Sequence, residues 1–520
     1  VTATAVRSAA KALATSPVVR GDVRLGKDVL ELLSTAMYVD PLVVYREYVQ
    51  NAADSLDLAG ERGADAPAVS IEIDAQGRSV RIRDNGAGIE PERFVERMVA
   101  LGGSEKRGTP ARGFRGVGRL AGLGHAQELI FRSRATGQSD VSELRWDCRR
   151  LKSCLGDNDF QGDVADLIAQ VVTASRQPAG SNDGPHFFQV ELSKIARGRS
   201  DKLLSPGDVS DYLGQIAPVP FHSDFTFGRI ITDQLAAHPG FSELNIRVND
   251  GEPITRPHRN AVDLGGRSSA FEAPVFTEIP AQDGEGLAAI AWFLHHSYEG
   301  ALTVGTLVKG VRLRIGNLQV GDAAILEGIF PEPRFNSWAV GEVHVLDPRL
   351  VPNGRRDQFE PNGHYGNLLN HLGPLTRDIA TRCRTYSSRR SKLREFELTA
   401  AMVRERAEVL GQGGMDETGR SGVMAAAETA LQKLERVAAM PLLIDAAADL
   451  QQQIASLRGE LAQVASGETD ARDPLERLPD GERAFFQRLV KIIYSHAANK
   501  SAAKALVDRI LEREIATLKT

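Results

Sequence analysis

The chain has 520 residues, 42% hydrophobic and 25% charged, which excludes wholesale disorder and fibrous repeats and leaves room for about three domains. Its 63 basic and 68 acidic residues give a net charge of −5, unlike a uniformly basic nucleic-acid binder; aromatics at 6% argue against a stacking platform for single-stranded bases. The apolar runs, such as 216–221 and 287–294, fall short of the ~20 residues that a membrane span needs, so no membrane partner is expected.

Residues 1–20 lack a continuous apolar core and carry Arg7 and Lys11, which reads as a flexible lead, not a secretory signal. Residues 21–195 read as mixed α and β. Apolar spacing predicts a helix over Asp28 to Met37, and a second after Pro41 over VVYREYVQNAADSLDLA. Val69 to Ile73 and Val80 to Arg83 alternate strictly around Asp74-Ala75-Gln76-Gly77, which predicts a hairpin. Ile130 to Ser133 and Phe188 to Leu192 are further strand candidates. The three cysteines, Cys148, Cys154 and Cys383, are too few and too uneven for a disulfide framework and fit a reducing, cytoplasmic setting.

Residues 196–374 are again mixed, with strands expected over Phe225 to Thr232, Leu244 to Val248 and Val311 to Ile315, and a turn at Asn249-Asp250-Gly251. Residues 375–520 turn helical. Leu443, Ala447, Leu450, Ile454, Leu457, Leu461 and Val464 are spaced 4, 3, 4, 3, 4, 3, a seam fit for a short coiled coil. Breaks are expected at Gly411 to Gly422 and Ser466 to Asp480, then an amphipathic pair at about 481–498 and 501–518. The expected fold class is α+β.

Four stretches carry chemistry. In Glu47-Tyr-Val-Gln-Asn51-Ala-Ala-Asp54, Glu47 and Asn51 are four apart on one helix face and Asp54 lies a turn on. A carboxylate there can accept a proton from water beside a magnesium ion that the carboxamide ligates. Alone, a solvated helix face explains the pattern as well. Asp84-Asn85-Gly86-Ala87-Gly88-Ile89 follows a strand; its carboxylate can accept from an exocyclic amine and its glycines admit a ligand close to the backbone. Gly102-Gly103-Ser104-Glu105-Lys106-Arg107-Gly108 is the third. Gly113-Phe-Arg-Gly116-Val-Gly118-Arg119-Leu120 is the fourth, a glycine-rich turn expected to lead into a helix and to present N–H groups to phosphate. It lacks the Lys-Ser/Thr of a Walker A loop.

In this order the four motifs resemble those of the GHKL ATPases, which include gyrase, heat-shock protein 90, histidine kinases and MutL. The nearest likeness is to heat-shock protein 90, and it covers about 25–195. The resemblance implies a Bergerat-type α/β sandwich that binds ATP and Mg. It gives Glu47 the role of general base and Asn51 that of Mg ligand. It places Asp54 in the nucleotide site, Asp84 on the adenine amine, Gly88 beside the base, and Gly113, Gly116 and Gly118 on the phosphates. Lys106 is a further candidate, though its Ser-x-Lys setting is nearer to MutL and MORC-like proteins. Gly184-Pro185-His186 departs from the Gly-Thr that usually helps hold the base.

Downstream, Leu350-Val-Pro-Asn353-Gly-Arg355-Arg356-Asp357 resembles the middle-domain loop of heat-shock protein 90, whose arginine reaches the γ-phosphate. Asn353 and Arg356 match its asparagine and arginine, with Arg355 the competing choice. The implied function is an ATP-hydrolysing conformational switch, chaperone-like or partner-regulating, acting as a homodimer. The alternative is a DNA-handling clamp ATPase of the MutL or MORC-like type. The basic run Arg377, Arg382, Arg384, Arg389, Arg390, Lys392 and Arg394 could contact nucleic-acid phosphates; a solvated face, or pairing with nearby acids, is the plainer reading.

Overall fold

The computed structural model describes residues 26–27, 30, 40–59, 67–101, 116–160, 162–198, 200–412, 415, 417–466 and 480–517. It divides into two units: residues 1–296 with 301–377, and residues 297–300 with 378–520. Most of the helix expected over Asp28 to Met37 lies outside the described residues.

Helix α1 spans Val43–Ala59, as the apolar spacing predicts. Asp40 starts it: its Oδ1 accepts from the Leu42 N–H at 3.0 Å and its carbonyl from the Val43 N–H at 3.1 Å. Strands β1 (Ala68–Asp74) and β2 (Ser79–Asp84) form the expected hairpin, with Val69 opposite Asp84 and Asp74 opposite Ser79. Helix α2 (Pro91–Val99) follows. Next come β3 (Glu128–Arg134), β4 (Asp140–Asp147), α3 (Cys148–Gly156), α4 (Val164–Val171), β5 (Val172–Pro178) and β6 (Phe187–Ser193). Helix α5 (Pro206–Ile216) packs its Val209, Leu213 and Ile216 into the same core as Tyr45, Val49 and Leu56 of α1.

Helix α6 occupies Gly228–Ala236, where a strand is expected over Phe225 to Thr232. Burial decides it: Ile231 and Leu235 are four apart and both face one apolar cluster, a helical period. Strand β7 (Asn245–Val248) then pairs parallel with β1, Ala68 opposite Asn245 through Ile71 opposite Val248. The resulting seven-stranded sheet runs β5-β4-β3-β6-β2-β1-β7. Its last strand comes from the segment expected as a middle domain. Asn249 and Asp250 turn the chain at φ +49° and +54°, and the Asn249 amide clasps Ile73 through both its N–H and its C=O.

Strands β8 (Ala261–Asp263) and β9 (Ser268–Ala270) form a small ribbon. A second sheet follows from β10 (Val275–Pro280), β11 (Leu287–Leu294), β12 (Gly310–Ile315), β13 (Leu318–Val320) and β14 (Val340–Val345), in the order β10-β11-β14-β12-β13. Strands β12 and β14 run parallel and the other neighbours antiparallel. A buried ionic knot joins this sheet to α5. Glu342, 1% exposed, accepts from Arg256 Nη1 at 2.5 Å and Arg314 Nε at 2.7 Å. Arg314 Nη2 also donates to the Gln215 carbonyl at the C-terminal end of α5, at 2.6 Å. Burial alone would raise the Glu342 carboxyl; the two guanidiniums override it and hold it well below the ordinary carboxylate value.

Helix α7 (Gly363–Gly411) carries the chain from the first unit into the second and runs through Pro374, next to the expected 374/375 division. In the second unit, α7 is joined by α8 (Glu417–Ala438), α9 (Ala447–Ser466), α10 (Asp480–His496) and α11 (Lys500–Thr517). The heptad seam is satisfied within the chain: Leu450, Ile454, Leu457 and Leu461 are buried with Phe396, Ala400 and Val403 of α7 and Leu431 and Leu434 of α8. Its apolar face is covered without a second copy. The expected helix pair near the end is present as α10 and α11, with Phe486, Val490 and Tyr494 against Ala503, Val507 and Leu511. The α+β class expected from the sequence is borne out.

Candidate nucleotide-binding site

Helix α1 is the floor of the site, and its polar face is not solvated. Arg46, Glu47, Gln50 and Asp54 are all buried, while Asn51 is half-buried between them. Buried polar side chains on a helix conflict with simple amphipathic packing, and such conflicts mark function. The Glu47 carboxylate is gripped by its neighbour, with Arg46 Nη2 at 3.0 Å from Oε1. A Cβ at Gly118 would meet the other carboxylate oxygen, so this turn lies directly against Glu47 and a larger residue would displace its carboxylate. Tyr48 clamps the same turn: its hydroxyl donates to the Arg119 carbonyl and accepts from the Gly122 N–H, both at 3.0 Å.

The helix expected after Gly118 is not there. Gly118–Leu120 form a single 3-10 turn, followed by further turns up to β3. Gly122 packs against Tyr48 and Leu129 with no space for a Cβ, and a side chain on a continuing helix would not fit. Phosphate contacts at this turn would come from the loop backbone, not from a helix N-terminus. Gly116 adopts φ +68°. Gly113 and Lys106 lie outside the described residues.

The second motif meets α1 two turns further along. Asp84, 4% exposed, ends β2, and its Oδ1 accepts from the Gly86 N–H at 2.9 Å. A Cβ at Gly86 would collide with the Ser55 hydroxyl, so this loop rests on the helix beside Asp54. Gly88 has φ +71°, and a Cβ there would strike the Arg134 carbonyl of β3. Close backbone packing therefore demands glycine at 88 in the protein alone, before any base is considered. Ile89 N–H donates to Ser133 Oγ at 2.8 Å and fastens the loop's far end.

Sequence reasoning missed three contributors. Arg46 was hidden by its ordinary place beside Glu47, and Tyr48 by its role in the apolar pattern. His186 stood out only as a departure from the family pattern. Its Nδ1 lies 2.8 Å from the Gly86 carbonyl, which can only accept, so Nδ1 carries the proton. His186 thus anchors the Asp84 loop from β6's side.

The loop 353–357 is built around Arg356, which is buried at φ +57°; its N–H donates to the Asn353 carbonyl, and its own carbonyl accepts from Gly321. Asn353 Nδ2 donates to Asp357 at 2.6 Å. The Arg355 side chain is exposed, yet its carbonyl accepts from Arg46 Nη2 at 2.8 Å. One guanidinium therefore touches both the Glu47 carboxylate and this distant loop.

The basic run is largely engaged within the chain: Arg382 with Asp378, Arg389 with Asp445, Lys392 with Glu395, and Arg390 with the Glu299 carbonyl. Nothing in this arrangement favours nucleic acid. Among the described residues there is no helix long and apolar enough to cross a membrane, and no group of three His, Cys, Asp or Glu placed to hold a metal.

An acid-bearing helix under a mixed sheet, with an aspartate loop at one end and a glycine turn at the other, agrees with the layout of a GHKL-type ATPase domain. Residues 43–156 match the family described as histidine kinase-, DNA gyrase B- and HSP90-like ATPases. The chain is similar to chaperone protein HtpG of Salinispora tropica, 27% identical over 210 residues, which covers 35% of this chain and 31% of that protein. It is 25% identical over 215 residues to HtpG of Verminephrobacter eiseniae, covering 34% of this chain and 32% of that protein. For HtpG of Acinetobacter baylyi the figures are 25% over 138 residues and 22% of each. The matches span about a third or less of these relatives. The expected likeness, a GHKL ATPase near heat-shock protein 90, is borne out.

Proposed function

We propose that this protein is an ATP-hydrolysing conformational switch of the heat-shock protein 90 type, cytoplasmic, and acting on a protein client or partner as a homodimer. The observation that carries the reading is the bridge from Glu47 through Arg46 to the Arg355 carbonyl. In this reading Asp84 accepts the adenine amine, Asp54 lies in the nucleotide site beside it, and Gly116 and Gly118 face the phosphates. Gly113 and Lys106, outside the described residues, are assigned to the phosphates on the family resemblance alone.

Glu47 is the general base. Arg46 Nη2 occupies its Oε1 at 3.0 Å, so in this arrangement that oxygen faces a guanidinium where a reacting water would have to stand. Freeing Glu47 requires Arg46 to move, and Arg46 also holds loop 353–357. Movement of that loop and release of the base are therefore one event. The same movement would present Arg356 to the γ-phosphate, where a guanidinium offsets developing charge. The Asn51 carboxamide, half-buried on the face between Glu47 and Asp54, has the hard oxygen that Mg prefers. Mg, when bound there, supplies counter-charge to the phosphates.

The test is hydrolysis by the full chain. Glu47→Ala is expected to bind ATP as tightly as the native protein by calorimetry but to lose about 10²–10⁴-fold in turnover. Normal turnover in that variant removes Glu47 from the mechanism; a native chain that does not hydrolyse ATP removes the reading.

A further inference from the structure

A half-buried cation beside the glycine turn has no counter-charge among the described residues. Arg119 follows Gly118 directly, and its carbonyl is tied to α1 by Tyr48, one residue from Glu47. Its guanidinium crosses to the end of α2, where Nη2 donates to the Ala100 carbonyl. The Nε–H is buried and meets no acceptor among the described residues. The neighbouring charge is Arg97, in the last turn of α2, and the two repel.

The end of α2 explains part of this. Helix C-termini favour cations, and the Ala100 carbonyl takes one donor. It does not explain the buried Nε–H, since a charged donor left without an acceptor is costly. Burial, with Arg97 adding to it, lowers the Arg119 guanidinium to about 10. No carboxylate offsets this among the described residues.

We propose that Arg119, with Arg97 beside it, is a two-arginine cradle for the nucleotide's polyphosphate; this rests on the ATP reading of the site. The Nε and Nη donors of a guanidinium form a planar fork that matches two phosphate oxygens, and an anion set between the two arginines cancels their repulsion. Backbone N–H groups of the glycine turn would then share the phosphates with two full charges.

Calorimetry on the full chain, with adenosine, ADP and ATP as ligands, tests it. Native affinity should climb with phosphate number and fall with salt. Arg119→Gln should weaken ATP about tenfold or more, and Arg97→Gln several-fold, with adenosine unchanged in both. Equal weakening of adenosine and ATP marks a purely structural role and overturns the cradle; so does unchanged ATP affinity in both variants. If Arg119→Gln melts below the assay temperature, Arg97→Gln decides alone, and unchanged ATP affinity there overturns the proposal. A native chain that binds neither ATP nor adenosine overturns the ATP reading instead, which is a separate result.

Discussion

Two arginine–glutamate pairs in the first unit differ in one respect that decides what each can do. Glu342 is enclosed by Arg256, Arg314 and His344, and Arg314 is also fastened to the end of α5. Neither guanidinium can leave without unpairing a buried charge. Among the described residues Glu47 pairs with one cation, Arg46, whose donors also reach a carbonyl on a distant loop. Equivalent chemistry is over-determined in one place and exchangeable in the other. The number of partners, more than burial, separates a fixture from a switch.

The contrast is sharpest in stability. Glu342→Ala leaves two buried guanidiniums uncompensated and should cost about 3–5 kcal/mol in urea unfolding. Turnover per folded molecule should be unchanged. Glu47→Ala should show the reverse profile, and a loss below about 1 kcal/mol for Glu342→Ala would erase the distinction.

A smaller effect should follow pH. His258 is buried against Phe221, Phe225 and Trp292, and burial lowers it to about 3. Arg256, Arg314 and Arg312 push the same way, and Glu342 opposes them. Unfolded, it titrates near 6.5, so between these values the folded protein holds fewer protons. Its contribution is present above pH 6.5 and is lost as pH falls toward 3. His258→Phe should flatten the fall in melting temperature over that window. An unchanged slope would assign the acid sensitivity elsewhere.

The smallest effect is expected at His186. It positions the Asp84 loop without touching the reacting atoms, so His186→Phe should raise KM for ATP about fivefold with kcat unchanged, as for one lost hydrogen bond. His186→Asn, which keeps a donor, should recover part of the loss. A fall in kcat alone would place His186 in the chemistry.

What the sequence made legible was local. Helix α1 ends where its apolar spacing says, and the β1–β2 hairpin follows from strict alternation around Asp74 to Gly77. The Glu47 and Asp84 motifs were linked by their likeness to the GHKL ATPases, since each alone had a plainer reading. Distant contacts were not. The run at 225–232 resembles a strand until the cluster that buries Ile231 and Leu235 is known. The run after Gly118 reads as a helix until Tyr48 and Leu129 close on Gly122. The hold of Arg46 on Arg355 joins positions 309 apart, and no local pattern encodes it.

The last strand of the first sheet has a practical consequence for dissecting this protein. β7 covers the outer side of β1, and it arrives some fifty residues after β6 in the chain. A fragment cut at 195 would leave β1 with a row of unpaired N–H and C=O groups, a template for joining other molecules into aggregates. Such a fragment would fail for a reason unrelated to catalysis, and a missing arginine would be blamed for it. A cut beyond Gly251 retains β7 and the Asn249 clasp on Ile73.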